Sequence, residues 1–285
     1  MRQPNHARPE SDCSARRRPH ANASAARTAV AVALAGLVCA ALLTGCAGRS
    51  KPSVEPLRVG VAPFYPPIVF EQDGQIMGVE AELAAAVGAR LERPVEYVRM
   101  TRQELINAVE DGDVDVAMSG ISVTPERASR VLFTEPYLRV GQLTLIRIED
   151  LTQLAGENAL RKPGVRIGYV DGTTGEAYVR ENLGNAESYA FATVEEGVRS
   201  LRARRIDAFI HDAPTVWRIG AGIDERELMG LYHPLTDEAL AWAVRKNDPE
   251  LVATLNELIA GWRETGQLDQ VLNRWIPVRV KQKMR

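Results

Sequence analysis

Cysteine and histidine are scarce in this chain, and their scarcity excludes several kinds of site. The 285 residues include three cysteines and four histidines. His211 and His233, the two histidines outside the first 45 residues, have no second ligand at metal-binding spacing, so we predict no metal site. The sequence also lacks a phosphate-binding loop and a dinucleotide fingerprint. We therefore expect a protein that needs no metal ion and no cofactor.

Long hydrophobic runs are absent as well. One uncharged, mostly apolar segment covers residues 28–43, which is shorter than the roughly 20 residues of a membrane-spanning helix. Arginines precede this segment, at Arg16, Arg17, Arg18 and Arg27, and small residues follow it. A basic region, an apolar core and small residues are the layout of a secretory signal peptide, which predicts an exported protein.

The stretch Leu43-Thr44-Gly45-Cys46 resembles the lipobox of bacterial lipoproteins, in which the peptide is cut before the cysteine and the thiol is acylated. The resemblance implies that residues 1–45 are a lipoprotein signal peptide and that Cys46 is the lipidation site. The lipid would anchor the protein to a membrane, facing the periplasm or the cell exterior. An ordinary signal peptide that happens to carry a cysteine is the alternative. Residues 46–56 are small and polar with two prolines, which favours a flexible tether.

Positive charge is in the minority after the predicted cleavage position. The first 45 residues hold six arginines and two acids, so the remaining 240 residues carry 29 basic and 35 acidic side chains and a net charge of −6. Nucleic-acid-binding proteins cluster lysine and arginine on one face, and this composition argues against such a partner. Cys46 is the only cysteine that remains, so no disulfide can form within one mature chain.

The sequence after the tether alternates predicted strands and helices, which is typical of α/β proteins with parallel sheets. The predicted strands are residues 57–61, 95–98, 114–118, 165–170 and 206–210. The predicted helices are residues 79–91, 102–110, 175–182, 194–204 and 267–275, with a further helical stripe from Leu251 to Trp262. The two halves of this segment have the same order of strands and helices, so we expect two α/β units of similar size.

Three loops lie where a predicted strand meets a predicted helix, which is where open α/β sheets bind ligands. They are residues 119–127, 171–176 and 210–214. In the first, Thr124 suits a helix N-cap, and Arg127 could either reach solvent or hold a carboxylate. In the second, Thr173 and Thr174 could cap the next helix or offer N–H groups to an anion. Asp212 in the third could cap a helix or bind an ammonium group. Together the loops fit a zwitterion better than a ligand of one charge.

Short motifs in a fixed order run from Leu57 to Trp275. They are Leu57-Arg58-Val59-Gly60, Tyr65-Pro66-Pro67, Gly112-Asp113-Val114-Asp115, Ser122-Val123-Thr124-Pro125-Glu126-Arg127, Phe133-Thr134-Glu135-Pro136-Tyr137, Gly172-Thr173-Thr174-Gly175-Glu176, Asp207-Ala208, Asp212-Ala213-Pro214 and Arg245-Lys246-Asn247-Asp248-Pro249-Glu250. In this order they resemble family 3 of the bacterial solute-binding proteins, the polar amino-acid receptors of ABC importers. The resemblance implies a type II periplasmic binding fold, with two α/β lobes joined by a two-strand hinge. Lobe 1 would contain residues 57–140 and 244–285, lobe 2 residues 141–243, and the hinge crossings would lie near 140–146 and 238–245.

The resemblance also implies an amino-acid site between the lobes. Arg127 would bind the α-carboxylate together with backbone N–H groups at Ser122 and Thr174, and Asp212 would bind the α-ammonium. The full set of implied ligand-binding residues is Tyr65, Ser119, Gly120, Ser122, Arg127, Thr173, Thr174 and Asp212. The protein would then be a lipid-anchored monomer that captures an amino acid, or a similar small zwitterion, by lobe closure and delivers it to an ABC permease in the membrane.

One position departs from the family pattern. Many members that bind basic or amide side chains have an acid two residues after the first-strand glycine, where this chain has Ala62. Lysine and arginine are therefore disfavoured as ligands, and Phe64 and Tyr65 allow an apolar or aromatic one. Two other functions stay open. The first is that of the periplasmic cyclohexadienyl (arogenate/prephenate) dehydratases, which share the fold; Glu176 would then be the catalytic acid. The second is that of a ligand-sensing lipoprotein that has no permease.

Overall fold

The structure, a computed structural model, describes residues 54–220 and 225–276. The predicted signal peptide, the lipidation residue Cys46 and most of the predicted tether lie outside these residues. In chain order the strands are β1 (Leu57–Val61), β2 (Phe64–Tyr65), β3 (Val69–Gln72), β4 (Gln75–Met77), β5 (Val95–Arg99), β6 (Val116–Ala117), β7 (Leu132–Phe133), β8 (Leu138–Val140), β9 (Gln142–Arg147), β10 (Arg166–Val170), β11 (Glu187–Phe191), β12 (Ala208–Asp212), β13 (Leu228–Gly230), β14 (Glu238–Leu240) and β15 (Ala243–Val244).

The helices lie between these strands and after the last of them. They are α1 (Val79–Leu91), α2 (Leu105–Asp111), α3 (Pro125–Ala128), α4 (Leu151–Leu154), α5 (Glu157–Leu160), α6 (Thr174–Asn182), α7 (Val194–Arg202), α8 (Ala213–Gly220), α9 (Pro249–Glu264) and α10 (Gln267–Trp275), with a 3-10 helix at Ile148–Asp150. None of the helices in the described residues has the length and apolar character needed to cross a bilayer.

Two five-stranded sheets organise the chain. The first has the order β5-β1-β6-β15-β7 and the second the order β11-β10-β12-β9-β13. In each sheet the first three strands are parallel, because helices connect them, and the last two are antiparallel to their neighbours. We call the part built on the first sheet lobe 1 and the part built on the second sheet lobe 2. The predicted α/β organisation is therefore confirmed.

Two crossings connect the lobes. The chain leaves lobe 1 along β8 and enters lobe 2 along β9, and it returns along β14 and β15. Strands β8 and β14 pair antiparallel, with Val140 opposite Glu238 and Leu138 opposite Leu240. Strands β8 and β14 are thus paired where the chain passes between the two sheets.

Apolar side chains fill the space between each sheet and its helices. In lobe 1, Trp242 is fully buried, stacks on Tyr137 with ring centroids 5.8 Å apart, and meets Trp262 of α9 at 6.3 Å. In lobe 2, the ring of Phe209 is fully buried and fills the space over Gly197 of α7, where a Cβ would lie 2.1 Å from it. Burying such side chains stabilises each lobe by about 1.5–3 kcal/mol per large residue.

Two element boundaries differ from prediction in ways that shape the site. Helix α2 begins at Leu105 rather than Arg102, because Glu104 accepts hydrogen bonds from the Thr101 N–H (2.7 Å) and hydroxyl (2.8 Å) and holds residues 101–104 in a turn. Strand β12 covers residues 208–212 rather than 206–210. Asp207 instead binds the Arg166 guanidinium (2.6 Å) at the start of the strand. Arg102 therefore lies in a loop, and Asp212 ends a strand.

Candidate ligand-binding site

The predicted site residues lie at the carboxyl ends of parallel strands. In lobe 1, β1 leads to Tyr65 and β6 leads to Ser119 and Gly120. In lobe 2, β10 leads to Thr174 and β12 ends at Asp212. Because the carboxyl ends of neighbouring parallel strands meet at one edge of a sheet, each lobe presents its polar groups along one edge.

Tyr65 forms the floor of the lobe 1 side. Its side chain is fully buried and packs directly on the backbone of Gly120, where a Cβ would lie 2.4 Å from the ring. Gly120 also has φ +61°, which favours glycine. Ser119 is buried beside them, and its hydroxyl accepts a hydrogen bond from the Ala62 N–H (2.8 Å). Phe64 points the other way and is 66% exposed, since alternate residues of a strand face opposite sides, so it does not support the predicted aromatic subsite.

A buried acid supports this floor from below. Glu80 of α1 is fully buried, and its carboxyl accepts a hydrogen bond from the Gly120 N–H (2.6 Å). Burial raises the pKa of Glu80 to about 8, despite the hydroxyl of Tyr137 and the N–H of Gly120 beside it. Glu80 is therefore mostly protonated near neutral pH and fixes the peptide of Gly120.

Arg127 is half-buried and points back into the site. Thr124 caps α3 by accepting a hydrogen bond from the Arg127 N–H (3.2 Å), as predicted. Nη1 of Arg127 donates to the Ser122 carbonyl oxygen (2.9 Å). Helix α3 has only four residues, so its dipole is small. The positive charge on this side of the site therefore comes from the Arg127 guanidinium and not from the helix dipole.

The carboxylate of Glu238 connects the two lobes. One of its oxygens accepts hydrogen bonds from the hydroxyls of Ser122 (2.6 Å) in lobe 1 and Thr174 (2.7 Å) in lobe 2. The other accepts from Gln142 Nε2 (3.1 Å) and the Thr236 hydroxyl (2.7 Å). Two residues predicted to bind the ligand are thus held together by an acid on the hinge strand β14.

Asp212 lies at the centre of the lobe 2 side. Its carboxylate is buried, accepts a hydrogen bond from Gln142 Nε2 and lies against the Tyr65 hydroxyl. Burial raises the pKa of Asp212, and it also raises the pKa of Tyr65, with the negative Asp212 as the next cause. The neighbouring His211 packs 5.6 Å from the Tyr65 ring. Burial lowers the pKa of His211 to about 3, so its imidazole is neutral.

Thr173 and Glu176 form the start of helix α6. The Thr173 hydroxyl accepts from the Glu176 N–H (3.3 Å) and donates to the Val170 carbonyl (2.6 Å). The Glu176 carboxylate accepts from the Gly172 N–H (2.7 Å) and pairs with Arg180 (2.8 Å). Thr173 is therefore the N-cap of α6, and Glu176 holds the N–H of the residue before the cap. This arrangement argues against Glu176 as the acid of a dehydratase, since one of its oxygens accepts the Gly172 N–H and the other pairs with Arg180.

The family model of the bacterial extracellular solute-binding proteins, family 3, matches residues 57–278. The chain belongs to this family. Its fold is the type II periplasmic binding fold of the solved relatives described next, as the resemblance implied.

Three similar proteins illustrate the relationship. The ABC transporter arginine-binding protein 1 of Escherichia coli (strain K12) is 25% identical over 250 residues, which is 85% of this chain and 98% of that protein. A protein of Wolinella succinogenes, solved in complex with lysine, has a TM-score of 0.75 and 28% identity, covering 81% of this chain and 99% of the other. An ancestral amino-acid-binding protein, a precursor of cyclohexadienyl dehydratase, has a TM-score of 0.72 and 31% identity, covering 78% and 95%. These relatives are named for binding, which agrees with the prediction of a binding protein rather than an enzyme.

Four residues of this solute-binding protein reach the site without having been predicted. They are Glu80, Arg102, Gln142 and Glu238. Arg102 follows the parallel strand β5, so the rule that selected the other loops also applied to it. Gln142 and Glu238 lie on the predicted hinge crossings, where only a structural role was expected. Nothing in the local sequence around Glu80 separates it from the exposed acids of an amphipathic helix.

Two surface depressions of this family member lie away from the site. Both are on the outer face of lobe 2, around Arg199 and Arg202, and their walls mix arginine with glutamate. Arg202 is already paired with Glu225 and Glu227. They share no residue with the cleft. Within the part of the chain that the structure describes, no group of three histidine, cysteine or acidic side chains could hold a metal ion.

Proposed function

We propose that this solute-binding protein captures an amino acid between its lobes and delivers it to an ABC permease, while a lipid on Cys46 anchors it to a membrane. In this proposal lobe 1 contains residues 57–140 and 244–285, and lobe 2 contains residues 141–243. The protein works as a monomer outside the cytoplasmic membrane. The E. coli relative, named an arginine-binding protein of an ABC transporter, supports the amino acid and the permease.

Two opposite charges of the cleft that lack a close ion-pair partner carry the proposal. Among residues 54–220 and 225–276, no acid forms an ion pair with Arg127, whose guanidinium is half-buried. The buried Asp212 likewise has no arginine or lysine partner there, and its neighbour His211 is neutral. Burying an unpaired charge is costly. A zwitterion offers a carboxylate to one charge and an ammonium to the other, so it compensates both.

Hydroxyl groups between these charges would complete the site. Ser122 and Thr174 lie on opposite lobes and already share a carboxylate, that of Glu238. A second carboxylate, from the ligand, would reach Arg127 beside Ser122 and could accept two charge-assisted hydrogen bonds from its guanidinium. Such a ligand contacts both lobes at once and therefore favours the closed state.

Ligand binding is tested first by a thermal-shift screen. The full chain, purified in detergent, would be tested against the twenty amino acids, prephenate and arogenate. A ligand that binds only the folded state raises the melting temperature. We expect one or a few amino acids to do so, with micromolar or tighter dissociation constants by calorimetry. The variants Arg127→Gln and Asp212→Asn should each weaken binding roughly 10- to 100-fold, as expected when a hydrogen bond to a charged group is lost.

Other outcomes would contradict the proposal. Binding of prephenate or arogenate alone, with product formed, would make the protein an enzyme. Equal affinity in the two variants and in the unmodified chain would remove Arg127 and Asp212 from the site. The lipid is tested separately, because Cys46→Ser should move the protein from the detergent phase to the aqueous phase in a partition experiment; an unchanged distribution would exclude the anchor.

A further inference from the structure

Arg102 places a second cation in the cleft. It lies in the turn between β5 and α2 and is half-buried, with its Cζ atom 5.4 Å from the centroid of the Tyr65 ring. A guanidinium over an aromatic face is a favourable cation–π contact. Arg102 therefore covers the ring of Tyr65, one of the residues implied to bind the ligand, and it becomes part of the surface that the ligand side chain would meet.

This charge has no acidic partner in the described ranges 54–220 and 225–276. Its nearest acid in sequence, Glu104, is bound to the N–H and hydroxyl of Thr101. Its other neighbour, Gln103, reaches across to Asp171 of lobe 2 (3.5 Å). The N–H groups of the Arg102 guanidinium are thus not taken up by an acid. The buried Tyr65 ring supports the guanidinium from one side.

The two cations of the cleft flank one small cavity. Arg102 and Arg127 line it together with the apolar side chains of Leu105, Ile106 and Ile121. Burial lowers the pKa of Arg127, the positive charge of Arg102 is the next cause, and the negative charges of Glu238, Glu126 and Asp212 act in the opposite direction. In apolar surroundings such a charge interacts more strongly than in water. An anionic group of a ligand would relieve this repulsion, and a cationic group would increase it.

Among the described residues no acid forms an ion pair with Arg102; its charge and that of Arg127 both act to lower the pKa of Asp212, which partly balances them. Ala62 brings no charge to this side, since it is buried with its N–H bound to the Ser119 hydroxyl (2.8 Å). Asp212 is left for the α-ammonium group under the proposed function. A cationic ligand side chain would therefore meet Arg102 without a counter-charge, although similar proteins are named for arginine or were solved with lysine.

We propose that Arg102 is the specificity-determining residue of the site and selects an amino acid with an anionic side chain, of the glutamate or aspartate type. The side-chain carboxylate accepts hydrogen bonds from the Arg102 guanidinium while Arg127 and Asp212 hold the α-groups. This inference rests on the proposed function, because it needs an amino acid in the cleft.

The test compares ligands that differ only in charge. Calorimetry on the full chain would give the dissociation constants of L-glutamate, L-glutamine, L-arginine and L-lysine. We expect glutamate to bind roughly 10-fold or more tightly than glutamine, since hydrogen bonds to a charged group are lost with the amide. In Arg102→Gln the glutamate-to-glutamine ratio should fall about 10- to 100-fold. Arg102→Glu should shift the preference towards arginine or lysine, and Arg102→Lys should keep part of the preference for glutamate.

Controls separate selectivity from folding. Arg90 is an exposed arginine on helix α1, and Arg90→Gln should leave every affinity unchanged. Thermal unfolding of Arg102→Gln should stay within a few degrees of that of Arg90→Gln, because the replaced side chain is half-buried and loses one cation–π contact. An unchanged glutamate-to-glutamine ratio in Arg102→Gln would overturn the inference. Equal weakening of all amino acids would also overturn it, since Arg102 would then hold the common α-carboxylate.

The ligand panel distinguishes this failure from failure of the proposed function. Tight binding of arginine, lysine or glutamine with weak binding of glutamate would refute the role of Arg102 and leave an amino-acid-binding protein. Failure of all amino acids to bind would refute the proposed function, and the specificity inference with it.

Discussion

Glu80 should make the stability of the protein fall as the pH rises towards 8. Burial raises the pKa of this carboxyl from 4.5 to about 8 in the folded protein. Between these values the folded protein keeps a proton that the unfolded chain has released. The unfolded state then binds fewer protons than the folded state, so the free energy of unfolding decreases with increasing pH.

The size of the effect follows from the shift in pKa. Each pH unit between the two pKa values changes the free energy of unfolding by about 1.4 kcal/mol. From pH 5 to pH 8 the loss is at most about 4 kcal/mol. Glu80→Gln keeps a carbonyl oxygen that can accept the Gly120 N–H, now bound at 2.6 Å, but has no titrating proton. The variant should therefore lose this part of the pH dependence.

Urea unfolding, followed by tryptophan fluorescence at pH 5, 6, 7 and 8, measures the difference between the two proteins. His211 titrates in the opposite direction, because burial lowers its pKa to about 3 and stability then rises with pH up to about 6.5. The difference between unmodified chain and Glu80→Gln cancels that contribution. Glu96→Gln, at an exposed position of β5, is the matched control and should follow the unmodified chain. Parallel curves for the unmodified chain and Glu80→Gln would refute a protonated Glu80.

Two further substitutions test the site. Gly120→Ala should lower the free energy of unfolding by about 1–3 kcal/mol, because its Cβ would meet the Tyr65 ring at 2.4 Å and its φ is positive. Gly156→Ala, in open space, should change it by less than about 0.5 kcal/mol, and equal losses in chemical unfolding would contradict the contact. Glu238→Ala should increase the radius of gyration of the ligand-free protein in X-ray scattering, because it removes the acceptor shared by the lobes. Glu96→Ala, at an exposed position of β5, is its control, and identical scattering of the two variants would exclude a lobe-connecting role.

The parts of the fold with strong local signals could be predicted from the sequence. Helices α1 and α10 begin and end at the predicted residues, since each combines an apolar stripe with a clear end signal. Helix α2 starts three residues later than predicted, because the contact of Glu104 with Thr101 is a side-chain bond that periodicity does not reveal. The alternation of strands and helices gave the fold class, whereas the order of strands in each sheet depends on contacts far apart in the chain.

The site was predicted where it depends on strand ends and was missed where it depends on distant pairs. Arg127 and Asp212 follow strands and lie in the cleft as expected. Glu238 was missed because its partner Ser122 is 116 residues away, and no local pattern marks an acid on a hinge strand as part of a site. Arg102 was missed because it was predicted to lie on a helix as an exposed residue. Only the structure shows the turn that precedes α2. The alternative of a surface-exposed Arg127 is wrong, because its side chain is half-buried and bound to the Ser122 carbonyl.

The positions of Gln142 and Glu238 connect ligand binding with lobe closure. Both lie on the crossing strands, β9 and β14, and their side chains are hydrogen-bonded to each other (3.1 Å). Nε2 of Gln142 also lies within hydrogen-bond distance of Asp212 and of the Thr174 hydroxyl (3.0 Å), so its two hydrogens are shared among three acceptors, and one hinge amide contacts the predicted ammonium site and a predicted carboxylate site. A ligand that binds these groups changes the hydrogen bonds of the hinge itself. The energy that favours the closed lobes can therefore come from the same contacts that recognise the ligand, because a ligand shifts an equilibrium only through its different affinity for the two states.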